Sequence, residues 1–499
     1  MLKMQQFISV WVLVLGIAAS SCGQAPPLPP LSVNADPLYK NHPQYREGTL
    51  TTKRFKHEEI VPLIAKLPAP LFQVQTVGKS MEGRTIYHIK AGSGPVTVLL
   101  WSQMHGDEST ATMALFDIFN FLQRSDELNP LRELLLTRLN IHFIPMLNPD
   151  GAERFTRRNV QDIDINRDAQ RLVTPEGQIL KRVRDSLSAQ WGFNLHDQSR
   201  YYAAGTNPKT ASISFLAPAY NVEKEINDVR GNAMRLIAMM NRTLQQYIPE
   251  RVARYDDTHE PRAFGDNIQK WGTSTILIES GGLPNDPEKQ ELRRLNFVSI
   301  LTALEGIAQE VYSQYDFTFY DALPFNESNA FHDLILRETE VQRNGRWYKV
   351  DLAFRRDEVP VNNFRYYYYR GSISEVGDLS TSFGYEEFQA KGYRAVPGKV
   401  YSTLLPNVQE LAKLDVAALL KAGVTDIPVK TFDNTLASSQ LPVRLVRPDE
   451  KNGAIRLGSN PSVLLQKEGE THYVVVNGVL FDVRQDPQKL RELVRKAVQ

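Results

Sequence analysis

Four apolar runs constrain this chain more than any other feature: VTVLLWSQ (96–103), LNIHFIPML (139–147), WGFNLHD (191–197) and TSTILIES (273–280). Each has strand length, is apolar almost throughout rather than alternating, and ends in polar residues. Between them lie stretches with helical spacing, STATMALFDIFNFLQR after the first run and VEKEINDVRGNAMRLIAMMNRTLQQYI between the third and the fourth. Continuous apolar strands alternating with amphipathic helices predict an α/β fold, a mixed, mostly parallel sheet with helices on both faces. In open sheets of this kind ligands bind beyond the carboxyl ends of the strands. Four loops are thereby singled out, at 104–110, 148–168, 196–207 and 279–284.

At 499 residues the chain exceeds what one hydrophobic core usually serves. From about 320 the pattern changes to shorter, more polar strand-like pieces: FHDLILRETEVQ, RWYKVDLAFR, FRYYYYRGSIS and HYVVVNGVLFDVR. Helical signal there is confined to 406–422 and the closing DPQKLRELVRKAVQ. The expected division is an α/β domain over 47–315 and a smaller β-rich accessory domain over 320–499. Within the latter, the run Tyr366 to Tyr369 reads as a half-buried strand rather than a sugar or polymer platform, and His332-Asp333 as an ordinary surface or strand pair. Lys and Arg number 58 against 57 Asp and Glu, a net charge of +1, which gives no electrostatic ground for a nucleic-acid partner.

The N-terminus reads as a targeting segment. Lys3 precedes an almost wholly apolar run from Phe7 to Ala19, too short to span a bilayer comfortably and suited to a signal-peptide core. Small residues follow, then Cys22, the only cysteine. This arrangement resembles the lipobox of bacterial lipoproteins, although Ala19 stands where Leu is usual. Residues 1–21 are expected to be a signal peptide and Pro-rich 22–46 a tether, with the protein exported and held at a membrane through lipid on Cys22.

The polar strand ends carry the chemistry. The first loop reads MHGDES, with His105 and Glu108 three apart; alone, such a pair arises by chance in many chains. The third run adds His196 at its polar end. Two imidazoles and one carboxylate on neighbouring strand ends, with a fourth position left to water, form the ligand set of a hydrolytic Zn²⁺, one per chain.

HGDE (105–108), NPDG (148–151), DINRD (164–168), NLHD (194–197) and LIESGG (277–282) occur in the order seen in the zinc carboxypeptidase (carboxypeptidase A) superfamily, and the chain resembles its bacterial exported members over roughly 70–315. GKSMEGRTI (78–86) resembles the family's opening strand. The resemblance implies that His105, Glu108 and His196 bind zinc and that Asp164 orients His105. It implies that Asn166 and Arg167 grip the substrate's terminal carboxylate, a task suited to the guanidinium fork. Glu279 matches the general base that takes a proton from the attacking water and passes it to the leaving amine. Arg157 matches the cation that steadies the oxyanion, with Arg158 as the alternative. The chain departs from digestive members at Asp107, Asp168 and the Asp-Gln after His196. The tyrosine that covers the digestive site has no clean counterpart, Tyr255 lying near its place. Side-chain preference falls in the Phe264 to Asn267 stretch and is not readable.

The C-terminal pieces resemble, more weakly, the small β-domain of amidohydrolases, but VYSTLLPNV stands where a metal-binding His-x-His should follow. That region is expected to lend structure or binding. The function expected is a metallocarboxypeptidase acting on a peptide, including a cell-wall peptide, with a free carboxylate. Two alternatives stay open: an amidase or deacylase on the same scaffold, and a non-catalytic binding lipoprotein.

Overall fold

The computed structural model describes residues 31, 33–450 and 453–498. The expected signal peptide over 1–21 and Cys22 lie outside them. Among the described residues no helix is long and apolar enough to cross a membrane.

The four apolar runs form strands of one eight-stranded sheet. Its members are β1 (Phe72–Lys79), β2 (Thr85–Ala91), β3 (Val96–Ser102), β4 (Leu139–Ile144), β5 (Trp191–Asp197), β6 (Ile213–Leu216), β7 (Val252–Arg254) and β8 (Ser274–Ser280). Their spatial order is β1-β2-β4-β3-β5-β8-β6-β7. The pairings β4–β3, β3–β5, β5–β8 and β6–β7 are parallel and the other three antiparallel, so the sheet is mixed and mostly parallel as expected. The short strands β6 and β7 are not evident in the sequence pattern. GKSMEGRTI is not one strand: Lys79 ends β1 and Thr85 begins β2, and the residues between form the hairpin tip.

Helices cover both faces. On one lie α1 (Asp36–Tyr45), α2 (Thr110–Gln123), α3 (Asp228–Leu244) and α5 (Gln290–Ala308). Nearly every residue of α2 is buried, as its all-round apolar sequence requires. Helix α3 starts at Asp228 rather than near Val222, because the Asn227 side chain accepts the Arg230 N–H and fixes the N-terminus there. The opposite face packs Leu99, Trp101, Ile144, Ile165 and Leu180 against Phe264 and Ile268 of α4 (Phe264–Lys270).

Helix α1 corrects the tether expected over 22–46. Leu38, His42 and Tyr45 of this helix are buried. His42 Nε2 lies 2.8 Å from Asp117 Oδ2, and fully buried Arg293 donates to both oxygens of Asp117, at 2.7 and 2.5 Å. The Pro and polar content of DPLYKNHPQY hides the docking, since the contacts that hold this helix come from α2 and α5.

A second eight-stranded sheet comprises β9 (Phe331–Arg343), β10 (Arg346–Val361), β11 (Tyr366–Gly377), β12 (Phe383–Gln389), β13 (Arg394–Pro397), β14 (Val463–Lys467), β15 (Glu470–Val476) and β16 (Val479–Asp482). In β11, Tyr367 and Tyr369 are buried while Tyr366 is exposed, the alternation of a half-buried strand. His332-Asp333 is more than a strand pair. Buried Asp333 accepts from Arg200 at 2.5 Å and from the Tyr201 hydroxyl at 2.7 Å, so it grips the loop that follows β5.

Candidate metal centre

Strands β3, β4, β5 and β8 run parallel and end at one edge of the sheet. Past β3 the chain turns at Gln103 (φ +47°), and His105 follows. Gly106 sits against the backbone of Gly151: a Cβ there would lie 2.0 Å from the Gly151 carbonyl carbon. That contact is the physical reason HGDE needs glycine; at Gly151 of NPDG a Cβ would instead meet Asn148 Nδ2 at 2.5 Å and the Arg158 carbonyl oxygen at 2.9 Å. Beneath it, buried Asp150 accepts from Ser80 Oγ (2.7 Å), the Glu82 amide (2.9 Å) and Arg84 (2.7 Å), so the β1–β2 hairpin tip clamps the same loop.

His105, Glu108 and His196 converge, all buried, with one ligand atom from each lying within 4.8 Å of the others. His105 Nδ1 is 2.8 Å from Glu108 Oε1, His196 Nδ1 is 2.6 Å from Glu108 Oε2, and the two Nδ1 atoms are 3.2 Å apart. A zinc ion about 2.0–2.1 Å from each nitrogen, in tetrahedral geometry, separates them by about that distance. The donor set and spacing therefore fit zinc. The far nitrogen of His105, Nε2, is 3.1 Å from Asp164 Oδ1, which fixes the ring's orientation. His196 Nε2 is buried with no partner among the described residues.

Arg157 reaches the cluster. Its Nε donates to Asp164 Oδ2 at 3.0 Å, and its terminal NH1 lies 3.3 Å from Glu108 Oε1. Arg158 turns away and donates to the Asp162 carbonyl at 2.8 Å. Glu279 stands in register with His196 across β5 and β8, so both side chains face the same side. Its Oε2 is buried and without a partner among the described residues. Asn166 is buried, and its Oδ1 accepts the Phe264 N–H at 2.9 Å. Arg167 is partly exposed and pairs with Glu260 at 3.3 Å.

Burial and mutual charge set the protonation of these groups. Burial pushes the Glu279 carboxyl well above its usual range, and the neighbouring Glu108 charge adds to the shift. Burial also opposes ionisation of Glu108, but His105 and His196 outweigh it and hold Glu108 well below the carboxylate range. For His105, burial is outweighed by Glu108 and Asp164, which raise the imidazole to about 9. For His196 burial wins and the ring titrates below its usual value. Asp107 is raised to about 6 by burial and the Glu108 charge.

The structure adds Tyr255, which sequence alone could not align. Its hydroxyl is raised by burial and then by the charge of the Glu279 carboxylate. Its amide donates to the Phe215 carbonyl at 2.8 Å. The visible signal is only the three-residue strand β7 before it.

Residues 61–235 match the family profile described as zinc carboxypeptidase. Glu279 lies beyond the matched segment. Carboxypeptidase SOL1 of Arabidopsis thaliana is 25% identical over 117 residues, 22% of this chain and 24% of that protein. Carboxypeptidase M of Mus musculus is 25% identical over 134 residues, 23% of this chain and 30% of that protein. The chain thus spans about a quarter to a third of the length of these relatives. Among solved structures, a metallo-carboxypeptidase from Burkholderia cenocepacia aligns over 51% of this chain and 69% of its own, at 16% identity and a TM-score of 0.41. One from Pseudomonas aeruginosa aligns over 51% and 68%, at 16% identity and a TM-score of 0.39. The matched segment holds HGDE, NPDG, DINRD and NLHD in order, so the part of the chain over 61–235 is similar to the zinc carboxypeptidase family.

Proposed function

We propose that the protein is a metallocarboxypeptidase that hydrolyses the C-terminal bond of a peptide bearing a free carboxylate, a cell-wall peptide included. The observation that carries this reading is the convergence of Arg157 and Glu279 on the His105–Glu108–His196 cluster. When bound, zinc would polarise the scissile carbonyl and make water a stronger acid. Glu279, with one buried oxygen free, accepts the proton of the attacking water and delivers it to the leaving nitrogen. Arg157 meets the negative charge that develops on the carbonyl oxygen. Asp164 holds both His105 and Arg157, so one carboxylate aligns the ligand and the cation. Asn166 and Arg167 take the terminal carboxylate.

An amidase or deacylase on the same scaffold is the second reading. The Glu260 carboxylate already occupies part of Arg167, and a substrate carboxylate must compete with it. For the exported lipoprotein, support comes from Phe7 to Ala19 and from Cys22.

The test is chelator-sensitive release of a C-terminal residue from hippuryl peptides and muropeptides, with products identified by mass. Glu279→Gln should retain zinc and lose at least about a hundredfold in kcat, within the range for a positioned acid–base group. A zinc-loaded Glu279→Gln protein that still turns over at the wild-type rate would end the proposed mechanism.

A further inference from the structure

Three segments of the metal centre meet, on the side of the sheet away from the cluster, at one ion pair between Lys289 and Asp197. Lys289 Nζ donates to the carbonyl of Ser280, the residue after Glu279, at 2.8 Å. It also lies 3.1 Å from Oδ2 of Asp197, the residue after His196. The same oxygen accepts from Thr110 Oγ1 at 2.6 Å, in the first turn of α2 and two residues past Glu108. The Asp197 amide donates to Glu108 Oε2 at 3.2 Å. Successive side chains of a strand point to opposite faces. His196 and Glu279 therefore face the centre while Asp197 and Ser280 face Lys289.

We propose that Lys289 is a positioning residue, which fixes the relative placement of Glu108, His196 and Glu279 by pinning the three chain segments that carry them. The proposal rests on the reading of this centre as a zinc hydrolase. Both partners of the ion pair are nearly buried, the side chains of Lys289 and Asp197 being 14% and 7% exposed. Their attraction is therefore weakly screened and the geometry is held closely.

Local preferences oppose Lys289 at this position. Its backbone lies in the left-handed region (φ +54°), and it caps the N-terminus of α5, where the helix dipole repels a cation. The free amides of that helix end are satisfied instead by Asp286, which accepts from Gln290, Glu291 and Leu292. The Lys289 side chain thus takes no part in capping, and its hydrogen bonds run to the ends of β5 and β8. No atom of Lys289 reaches the cluster itself, so its effect passes through the segments it ties.

The test uses the full-length protein with cobalt in place of zinc, which reports ligand geometry through its visible absorption. Lys289→Met is expected to change the intensity and position of the cobalt bands. It should lower kcat of the zinc form about 10- to 100-fold, the range for groups that orient metal ligands, with KM within about threefold. Thr110→Val removes a second limb of the tie and is expected to move the cobalt bands in the same direction by less. It serves if Lys289→Met does not fold. Superimposable cobalt spectra and a kcat within about threefold of wild type would overturn the proposal, even with a lowered melting temperature, because that pattern marks a purely structural role. A wild-type protein that binds neither metal nor turns over peptide would instead remove the zinc-hydrolase reading beneath it.

Discussion

Asp164→Asn separates the contributions of one carboxylate to two parts of the centre. Asp164 Oδ1 faces His105 Nε2 at 3.1 Å and accepts the Asn166 N–H at 2.9 Å, while Oδ2 accepts Arg157 Nε at 3.0 Å. The asparagine keeps the shape and one oxygen, so the His105 and Asn166 contacts survive in weakened form. It removes the negative charge and turns an NH₂ group toward Arg157. Loss of a charged partner behind a metal-binding histidine costs about 10- to 100-fold in metal affinity, or about 1.4–2.7 kcal/mol. A displaced oxyanion donor costs up to about 10²–10³ in kcat. Arg157 is 43% exposed and keeps its own charge, so the lower part of that range applies. The expectation is a zinc affinity lower by 10- to 100-fold, measured by competition with a chromophoric chelator. At saturating zinc, kcat should still be lower by at least about tenfold. A variant within about threefold of wild type in both quantities would refute the role assigned to Asp164.

The two arginines of FTRRNV should behave oppositely: Arg157→Ala should lose about 10²–10³ in kcat/KM on a peptide substrate, and Arg158→Ala, which loses only a bond to a carbonyl, should stay within about threefold. Zinc affinity should rise with pH. Because His105 of the metal-free protein holds a proton until about pH 9, binding must expel it, and affinity should climb about tenfold per unit between pH 6 and 8; a flat profile in chelator competition would contradict that protonation. Arg293→Ala leaves the buried Asp117 charge without its main partner and should destabilise the fold by about 3–5 kcal/mol in urea denaturation, with a loss below about 1 kcal/mol counting against it.

The parts of this centre that depend on local sequence were legible. His105, Glu108 and His196 each sit at or just past the polar end of an apolar run, and a parallel sheet delivers such ends to one edge. Gly106 is fixed by close approach to the Gly151 backbone and Gly151 by close approach to Asn148 and Arg158, and so the motifs around them are recognisable. What stayed hidden depends on side chains far apart in sequence. Lys289 lies in the polar stretch NDPEKQ, and only the fold brings it to Asp197, 92 residues earlier. Tyr255 follows a strand of three residues, too short to announce itself. Asp333 looked like an ordinary strand residue because its partners Arg200 and Tyr201 belong to the other sheet's loop.

Under the proposed lipid anchor on Cys22, the docking of α1 would shorten the reach of the metal centre from the membrane. Counting from Cys22 to the start of a free-hanging domain at 47, 24 intervening residues could extend to about 80 Å at 3.3–3.6 Å each. Because Asp36–Tyr45 belongs to the folded body and Val33 and Ala35 are buried in the same core, only ten residues, 23–32, separate Cys22 from it. Ten residues extend to about 35 Å at most. With lipid on Cys22, the metal centre would be confined to a shell near the bilayer, and the substrates within its range are those that come to that surface.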